Sequence, residues 1–504
     1  MPIRFEIYRD GNRLTQFNPI GPMAVAPESV AVPADINFRD GILSLSRSDE
    51  QPMGIALLWD VGAIGAFHLE TTRLPPRQKP YNLNVELARC RLMKIVQKQE
   101  DWNLFDFPKA ERFTQRFHEA QSLFADALGK LDRPGEAAKI ADQALLIAVE
   151  LSEQLTIFHS DLLINRRKAS NNFVKHIFGC RADPAVQNAK YKELLSTGFD
   201  YAVLPMDWKM LQPEEGVFKT EAVDEWVEML SRKRTPIIAG PLIDLTDGHV
   251  PDWMYIWEHD FDTLRELAHE HVQRVVSRYR RSVAIWNIGA GLNTNNVFTL
   301  NYEQIIELTR LLVSQVKTMI PNAKTLVTIK HPFGEFNARG RFGVPPMAYA
   351  EMVAQSGINF DAFGLELEMG VPSPGTYTRD LFQISCLLDR FSTMSRPVFL
   401  TATTVPGRHT PDPSDRSDGK ADPAGAGRWH RPWDLELQAE WINSVYRIAL
   451  SKPYVESIAW GELADLRPIM PGAGLVDDML RPKPSFLKVQ ELREHFHQFT
   501  FGRK

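Results

Sequence analysis

The sequence predicts an α/β protein in which a (β/α)8 TIM barrel follows an N-terminal β-sandwich and a helical hairpin. Turn-separated strand patterns fill the first 90 residues, a helical period follows to about residue 170, and strand and helix patterns alternate from 171 to 504. Eight strand-like runs, most of them separated by a helical pattern, are typical of a parallel barrel. An open doubly wound sheet uses the same alternation, but no G-x-G-x-x-G follows an early strand, which disfavours its dinucleotide-binding form. The runs are FVKHIFGC, DYAVLPM, TPIIAG, VAIWNI, TLVTIK, FDAFGLELE, PVFLTATT and VESIAWGE.

The two segments before the barrel differ in their hydrophobic period. In residues 1–90 the runs RFEIYRD, SVAVPADINF, GILSLSRS and GIALLWDV alternate or stay apolar between polar breaks, which predicts the strands of a small β-sandwich. In residues 91–170 apolar residues recur at helical spacing from Phe113 to Leu128 and from Ile140 to Phe158, on either side of a break at Pro134-Gly135. We expect this second segment to be a structural hairpin rather than a cofactor site.

The composition is that of a globular protein and gives no sign of a nucleic-acid or membrane partner. Of the 504 residues, 44% are hydrophobic and 24% charged, and the net charge of -5 gives no reason to expect nucleic acid or an anionic membrane. The first residues lack a basic region followed by an apolar one, so no secretory signal is expected. Cys90, Cys180 and Cys386 are far apart and odd in number, which fits reduced thiols and predicts a cytoplasmic location. The sequence carries no prediction of the oligomeric state.

We predict neither a metal ion nor a cofactor. His249, His259, His269 and His271 are the histidines that suggest a metal site. Their spacing does not follow H-E-x-x-H, in which two histidines four residues apart share one helix face. His269 and His271 form an H-x-H within a predicted helix, where the two rings diverge by about 200°. Solvated helix positions explain these residues better than shared coordination does.

Several short motifs in the barrel segment follow one another in the order of a known family. The stretch LPMDWKMLQPEEGVF at residues 204–218 is similar to a W-x-x-x-x-P-x-x-G-x-F segment. Through these motifs residues 172–495 resemble glycoside hydrolase family 10, the xylanase family among the clan A retaining enzymes. The resemblance implies a sugar-binding barrel with an oligo- or polysaccharide as partner. Asp465 departs from the pattern, because it comes one residue later than W-G-x-x-D requires. The other pieces are HIFGC at 176–180, VPDW at 250–253, VVSRYRRSVAIWNI at 275–288, DAFGL at 361–365, IAWG at 458–461 and RPKP at 481–484.

The resemblance brings two unreactive residues to the places of the two catalytic glutamates. The acid/base position after strand four falls on Gly291, in WNIGAG, and the nucleophile position at the end of strand seven falls on Ala402, in LTATT. Retaining glycosidases need two carboxyl groups about 5–5.5 Å apart, and neither glycine nor alanine transfers a proton or attacks an anomeric carbon. The family's P-E-N has become Pro205-Met206-Asp207, and its histidine after strand three has become Pro241.

Acidic residues at other strand ends are candidates for relocated chemistry. Glu366 and Glu368 end strand six and, being two apart on a strand, point to the same side. Glu335 follows strand five, Asp244 follows strand three and Glu462 follows strand eight. Two of these acids would form an inverting pair if their carboxyl groups stood about 6.5–9.5 Å apart. The alternative is that they pair with neighbouring arginines and lysines or bind sugar hydroxyls.

Polar and aromatic residues near the expected mouth of the barrel are candidates for sugar contacts. The loop 405–433 after strand seven is long, and such loops are often lids. It would lie over the face where barrels hold their active sites, and its aromatic rings and hydrogen-bond donors suit a sugar. The alternative is a plug that covers the mouth. Trp286, within a strand, is expected to be structural. The candidate contacts are Asp207, Trp208, Lys209, Trp429, His430, Trp433, Trp460 and Glu462.

Three functions follow from these patterns. The first is a degenerate xylanase-like barrel that binds a glycan without cleaving it. The second is an active glycoside hydrolase that acts on O-glycosyl bonds through relocated carboxylates. The third is a structural protein whose barrel only packs against the other segments. For the β-sandwich, a carbohydrate-binding-module role and a packing role both stay open.

Overall fold

The computed structural model describes residues 1–47, 51–104, 111–295, 297–339 and 343–500. A few residues of each predicted segment therefore lie outside the described ranges. Eight parallel strands in the described part of the chain close into a barrel, which confirms the predicted fold class. The first and last strands close it through the pair Phe178↔Ile458. Each strand-like run of the sequence overlaps one of them. The strands are Phe178–Arg181, Tyr201–Leu204, Ile237–Ala239, Ile285–Ala290, Lys324–Ile329, Ala362–Glu368, Val398–Thr404 and Val455–Trp460, here called barrel strands one to eight.

A helix follows each barrel strand and covers the outside of the barrel. Side-chain caps begin several of these helices, and at Asn301 and Asp380 the cap is a complete capping box with a glutamine three residues later. No helix among the described residues is long and apolar enough to cross a membrane. The helices are Ala189–Gly198, Glu221–Lys233, Phe261–Tyr279, Tyr302–Met319, Pro346–Gln355, Leu381–Phe391, Leu435–Ser451 and Pro484–His497.

Side chains from successive strands fill the interior of the barrel. A cluster of buried residues takes members from barrel strands two to eight, so the barrel is a packed core rather than a pore. Ligand contacts are therefore left to the loops and residues at the carboxyl ends of the strands. The cluster comprises Tyr201, Val203, Ile238, Leu326, Ala362, Phe399 and Ala459, with Ile285 packed against it.

The N-terminal segment forms two larger sheets and the two-stranded hairpin Tyr8–Arg9 with Asn12–Arg13, and the barrel segment supplies one strand of the larger sheets. The four-stranded sheet has the order Tyr81–Asn82, Ile3–Glu6, Ile42–Ser46 and Asp35–Arg39. In the five-stranded sheet the edge strand Arg428–Trp429 comes from the loop after barrel strand seven and pairs antiparallel with Gly65–Glu70. The order of that sheet is Arg428–Trp429, Gly65–Glu70, Gly54–Asp60, Met23–Val25 and Ala31–Val32.

The helical segment has three helices in its described part, one more than the two expected. They are Leu83–Asp101, Glu111–Leu128 and Pro134–Ala169. The first begins at Leu83, where Asn82 caps it by accepting from the backbone N–H of Val85. This helix is buried on several sides, between the N-terminal sheets, the third helix and the barrel, so its apolar residues show no clear helical period. Its burial explains why the sequence pattern did not separate it from the sandwich.

A buried ion pair joins the first of these helices to the barrel. The guanidinium of Arg91 binds the carboxylate of Asp380, with Nη1 3.2 Å from Oδ1, and the two side chains are 5% and 0% exposed. Asp380 also accepts at 3.0 Å from the backbone N–H of Gln383 and so caps the helix Leu381–Phe391. One carboxylate therefore holds both a helix terminus and a helix of the preceding segment.

We expect Asp380→Ala to lower the free energy of unfolding by about 3–5 kcal/mol, because it leaves the Arg91 charge buried without a partner. Asp434→Ala is the matched control, since Asp434 caps the helix Leu435–Ser451 and pairs with Arg431 but is 50% exposed. The control should cost about 1 kcal/mol, the usual value of a cap. Urea unfolding of both variants measures the difference, and equal losses would contradict a special role for the buried pair.

Candidate functional site

Charged side chains at the carboxyl ends of the barrel strands gather at the mouth of the barrel. Arg181 ends barrel strand one and lies within the electrostatic reach of acids from strands three, six and eight. Its guanidinium is 4.0 Å from Oε1 of Glu366. Parallel strands bring their carboxyl ends to one face, and catalytic groups of such barrels lie there. The charged residues of this mouth cluster are Arg181, Asp207, Asp244, Lys330, Glu366, Glu368 and Glu462.

Lys330, directly after barrel strand five, is the centre of the mouth cluster. Its Nζ lies 2.6 Å from Oδ2 of Asp244 and 3.8 Å from Oε2 of Glu366. Burial alone would lower the pKa of Lys330, but the charges of Asp244 and Glu366 more than offset it and raise that pKa above its ordinary value. Lys330 is therefore a fixed cation that ties strands three, five and six together.

The carboxyl groups of the mouth fall into two electrostatic classes. Asp244 is fully buried, yet Lys330, His249 and Thr246 more than compensate for burial and hold its pKa below the ordinary value. Burial raises the pKa of Glu368, and the neighbouring charge of Glu366 adds to the shift. Burial also raises the pKa of Glu462 to about 7, although Arg416 acts in the opposite direction. The mouth thus combines a fixed carboxylate with acids that hold a proton more readily.

The space beside Gly291 is filled by the side chains of two neighbours. Gly291 follows barrel strand four and has φ +65°, in the left-handed region. A Cβ at this position would lie 2.7 Å from Oδ1 of Asp244 and 2.7 Å from Cγ2 of Thr246. Thr246 in turn donates from its hydroxyl to Asp244 at 2.6 Å, which fixes both groups. A larger side chain at position 291 has no room unless this pair moves.

Ala402 presents only a methyl group at the end of barrel strand seven. It is 1% exposed and stands in register with Glu366 of strand six. Behind it, a Cβ added at Gly461 would lie 3.6 Å from the Ala402 Cβ. On the neighbouring strand six, the residue paired with Ala402 is Glu366, which carries a carboxylate.

Three tryptophans expected to contact sugar are buried instead. Trp208 is 2% exposed and stacks on the ring of His271 at 5.1 Å. Trp460 is 0% exposed and donates from Nε1 to the carbonyl of Ala473 at 2.9 Å, and Trp433 is 1% exposed. Their rings contribute to the core, so in this structure no ring face is left for a ligand. Trp286, expected to be structural, is also buried.

The aromatic end of the long loop contacts the helical segment rather than the mouth, which corrects the expected sugar contacts. Trp429 Nε1 donates to Oε1 of Glu153 at 2.9 Å, and the ring of His430 lies 2.7 Å from the other oxygen of that carboxylate. Glu153 also accepts from the backbone N–H of Leu381 at 3.0 Å. The same residue types that suit a sugar here hold the loop to the helix Pro134–Ala169.

Another part of that loop does reach the mouth. The guanidinium of Arg416 lies 3.7 Å from Oε1 of Glu462 and 3.7 Å from Oδ2 of Asp183, and its side chain is 49% exposed. Glu462 also accepts from the backbone N–H of Ile469 at 3.2 Å. The loop therefore contacts the mouth at the strand-eight side, as both a lid and a plug would.

The remaining candidates lie in different surroundings. Glu335 is 2% exposed and binds the guanidinium of Arg379 beneath the N-terminal sheet, so it is a structural ion pair and not a relocated catalytic acid. Lys209 pairs with the exposed Asp252 at 2.6 Å. Asp207 belongs to the mouth, where burial raises its pKa, and it caps the short helix Trp208–Leu211.

Sequence reasoning missed the three cations of the mouth. Arg181 and Lys330 stand at strand ends, where the same positional rule that selected the acids would have selected them. Arg416 lies in an irregular loop, and no pattern in the sequence indicates its contact with Glu462. Among the described residues no three histidine, cysteine, aspartate or glutamate side chains form a group that could hold a metal ion.

We expect Gly291→Ala to destabilise the protein more than Gly216→Ala does. Both glycines have a positive φ, but a Cβ at Gly216 meets nothing within 4 Å. The control should therefore cost about 1 kcal/mol for the left-handed backbone alone. Gly291→Ala should cost about 1–3 kcal/mol more, as in other overpacked sites. Denaturant unfolding compares the two, and equal costs would show that Asp244 and Thr246 yield easily.

We expect Glu462 to make stability depend on pH. Its pKa of about 7 exceeds the ordinary 4.5, so the unfolded chain loses this proton first and the native state loses stability as pH rises from 4.5 to 7. The shift corresponds to about 3 kcal/mol. Glu462→Gln should remove this decline, while Glu225→Gln, at an exposed site, should keep it. Unfolding midpoints across this pH range give the answer, and an unchanged slope in Glu462→Gln would contradict the assignment.

Comparison with known proteins shows which family the barrel segment is similar to. The sequence profile of glycosyl hydrolase family 10 matches residues 165–297. Endo-1,4-beta-xylanase B of Thermotoga neapolitana is 22% identical over 322 residues, which are 60% of this chain and 84% of that protein.

Solved xylanase structures also align with this chain. The native xylanase 10B from Thermotoga maritima shares 17% identity with a TM-score of 0.49, over 66% of this chain and 98% of that chain. Xylanase 10B from Thermotoga petrophila RKU-1, in complex with xylobiose, shares 18% identity with a TM-score of 0.48, over 64% of this chain and 95% of that chain. Together with the closed barrel of eight parallel strands, the family profile and the sequence relative support a divergent glycosyl hydrolase family 10 barrel in this chain.

Proposed function

We propose that the protein binds a neutral glycan at the mouth of the barrel and does not hydrolyse it by the retaining mechanism of its family. The observation that carries this proposal is the filled space at Gly291, where Asp244 and Thr246 leave no room for a general acid. The relationship to an endo-1,4-beta-xylanase supports a xylose oligosaccharide as the ligand.

The second catalytic position supports the same proposal. Retaining hydrolysis needs a carboxylate that attacks the anomeric carbon, about 5–5.5 Å from the acid/base. The resemblance brings this position to Ala402, a buried methyl group. Glu366, its neighbour in register, is engaged by the cations Lys330 and Arg181. A carboxylate so engaged is a poorer nucleophile than a free one, because its charge is already stabilised.

The charge balance of the mouth favours an uncharged sugar. Asp244 and Glu366 are offset by Lys330 and Arg181, and Arg416 stands beside Glu462 and Asp183. Burial raises the pKa of Glu368, and it raises the pKa of Glu462 to about 7, so the Glu462 carboxyl group can donate a hydrogen bond to a hydroxyl group when protonated and accept one when ionised. Such a site offers donors and acceptors to sugar hydroxyls without a net charge to select an ionic ligand.

A second candidate, hydrolysis by relocated carboxyl groups, rests on Glu462. A pKa near 7 is typical of a general acid, which must hold its proton until the leaving group needs it. Glu366, kept beside two cations, would then be the partner that activates water. This reading requires the two carboxyl groups to stand about 6.5–9.5 Å apart, as in inverting enzymes.

Calorimetry with xylohexaose and product analysis on the full chain test the proposal together. We expect binding by the unmodified protein and about tenfold weaker binding by Glu368→Gln, because one hydrogen bond contributes about 1 kcal/mol or slightly more. Glu225→Gln, at an exposed helix position, is the control and should bind normally. Long incubation should release no shorter sugar.

Each of the other outcomes decides against the proposal. Release of xylose or short oligosaccharides that disappears in Glu462→Gln would establish the relocated hydrolase. No heat with xylohexaose or with other β-glycans would favour a structural role for the barrel.

A further inference from the structure

A cavity of about 170 Å³ lies where the three parts of the protein meet, and no residue of the mouth cluster lines it. Its walls are the strand Gly65–Glu70, the helix Leu83–Asp101, the helix Leu381–Phe391 and the loop residues Pro332 and Phe333. Neither the family resemblance nor the proposed glycan site involves these walls.

Most of the charges in these walls are already paired. Arg91 binds Asp380, and Arg379 binds Glu335. Glu70 receives both Lys94 and Arg73, and the two cations hold its pKa at about 2 despite the opposing effect of burial. Each of these carboxylates is therefore paired with a cation, and Glu70 is paired with two.

Arg390 is the exception. Its guanidinium lines the cavity, and within the described part of the chain it has no hydrogen bond or ion pair. Burial lowers its pKa, and Glu70 and Glu351 act on it only at longer range. The side chain is only partly buried, so its guanidinium keeps some contact with water, and a carboxylate in the cavity would give it the charged partner that it lacks.

Apolar side chains form another part of the cavity wall and fit a compact hydrophobic group. Leu87, Phe333, Phe382 and Leu387 line it together with the thiols of Cys90 and Cys386. Burial raises the pKa of both thiols to about 11, so they are uncharged at neutral pH. The volume of about 170 Å³ is close to that of an engineered apolar cavity of about 150 Å³ that binds benzene.

We propose that this cavity binds a small carboxylic acid whose apolar body is about the size of one aromatic ring, with its carboxylate on Arg390. The flat guanidinium fork matches a carboxylate, and the apolar walls match the body. One unpaired cation suits a monoanion better than a dianion such as phosphate, which would bring a second charge into an apolar space. The proposal does not depend on glycan binding at the mouth.

Calorimetry and thermal unfolding of the full chain with sodium benzoate, benzyl alcohol and inorganic phosphate test this proposal. We expect millimolar benzoate to bind and raise the melting temperature, and both other probes to bind at least about tenfold more weakly. Arg390→Gln should weaken benzoate binding at least about tenfold. That variant should fold about as stably as the unmodified protein, because the partly exposed Arg390 side chain has no ion pair or hydrogen bond to lose. Arg232→Gln, at a side chain 73% exposed, is the control and should bind benzoate normally.

Three results would overturn the proposal. One is the lack of any benzoate effect at millimolar concentration. Another is equal affinity for benzyl alcohol or phosphate, which would remove the carboxylate or the apolar body from the recognition. The third is unchanged benzoate binding by Arg390→Gln, which would move the site elsewhere.

Discussion

The carboxylate of Asp244 is the group on which the arrangement of the barrel mouth depends. It is fully buried and accepts from Lys330, from the backbone N–H of Thr246 and from the Thr246 hydroxyl. Because it is charged and enclosed, it needs these partners, and they in turn fix the loop after strand three against Gly291. Lys330 extends the network to Glu366 on strand six. The mouth is thus a well-connected ion-pair network on the face where barrels of this kind hold their active sites.

The strands of the barrel were predictable because their signal is local. Each barrel strand is a short β-branched or apolar run, and burial on both faces makes such runs stand out from the amphipathic helices between them. The helix Leu83–Asp101 was not separated from the sandwich, because it is surrounded and its apolar residues are spread around its circumference. The spacing of apolar residues along a sequence reflects how many faces of a helix or strand are buried. In a helix that is buried on most sides, apolar residues no longer recur at the helical spacing.

The candidate site was predictable in position but not in detail. The rule that barrel sites lie at strand ends located Glu366, Glu368 and Glu462. The rule that aromatic residues near donors suit sugars was misleading for Trp429 and His430, because their contact with Glu153 uses the same flat rings and the same donors. The partner of such a cluster depends on where the long loop packs in the folded protein. That position is determined by contacts between residues that are hundreds of positions apart in the sequence, such as Trp429 and Glu153.

The strand Arg428–Trp429 has a consequence for how the protein assembles. It covers one edge of the five-stranded sheet, and the helix Glu335–Arg339, which also belongs to the barrel, packs against the opposite edge strand Ala31–Val32. A fragment made only of the first 82 residues would expose backbone donors and acceptors along both margins, the condition that leads sheets to associate. Both edges of the five-stranded sheet are therefore covered by residues that come from the barrel segment.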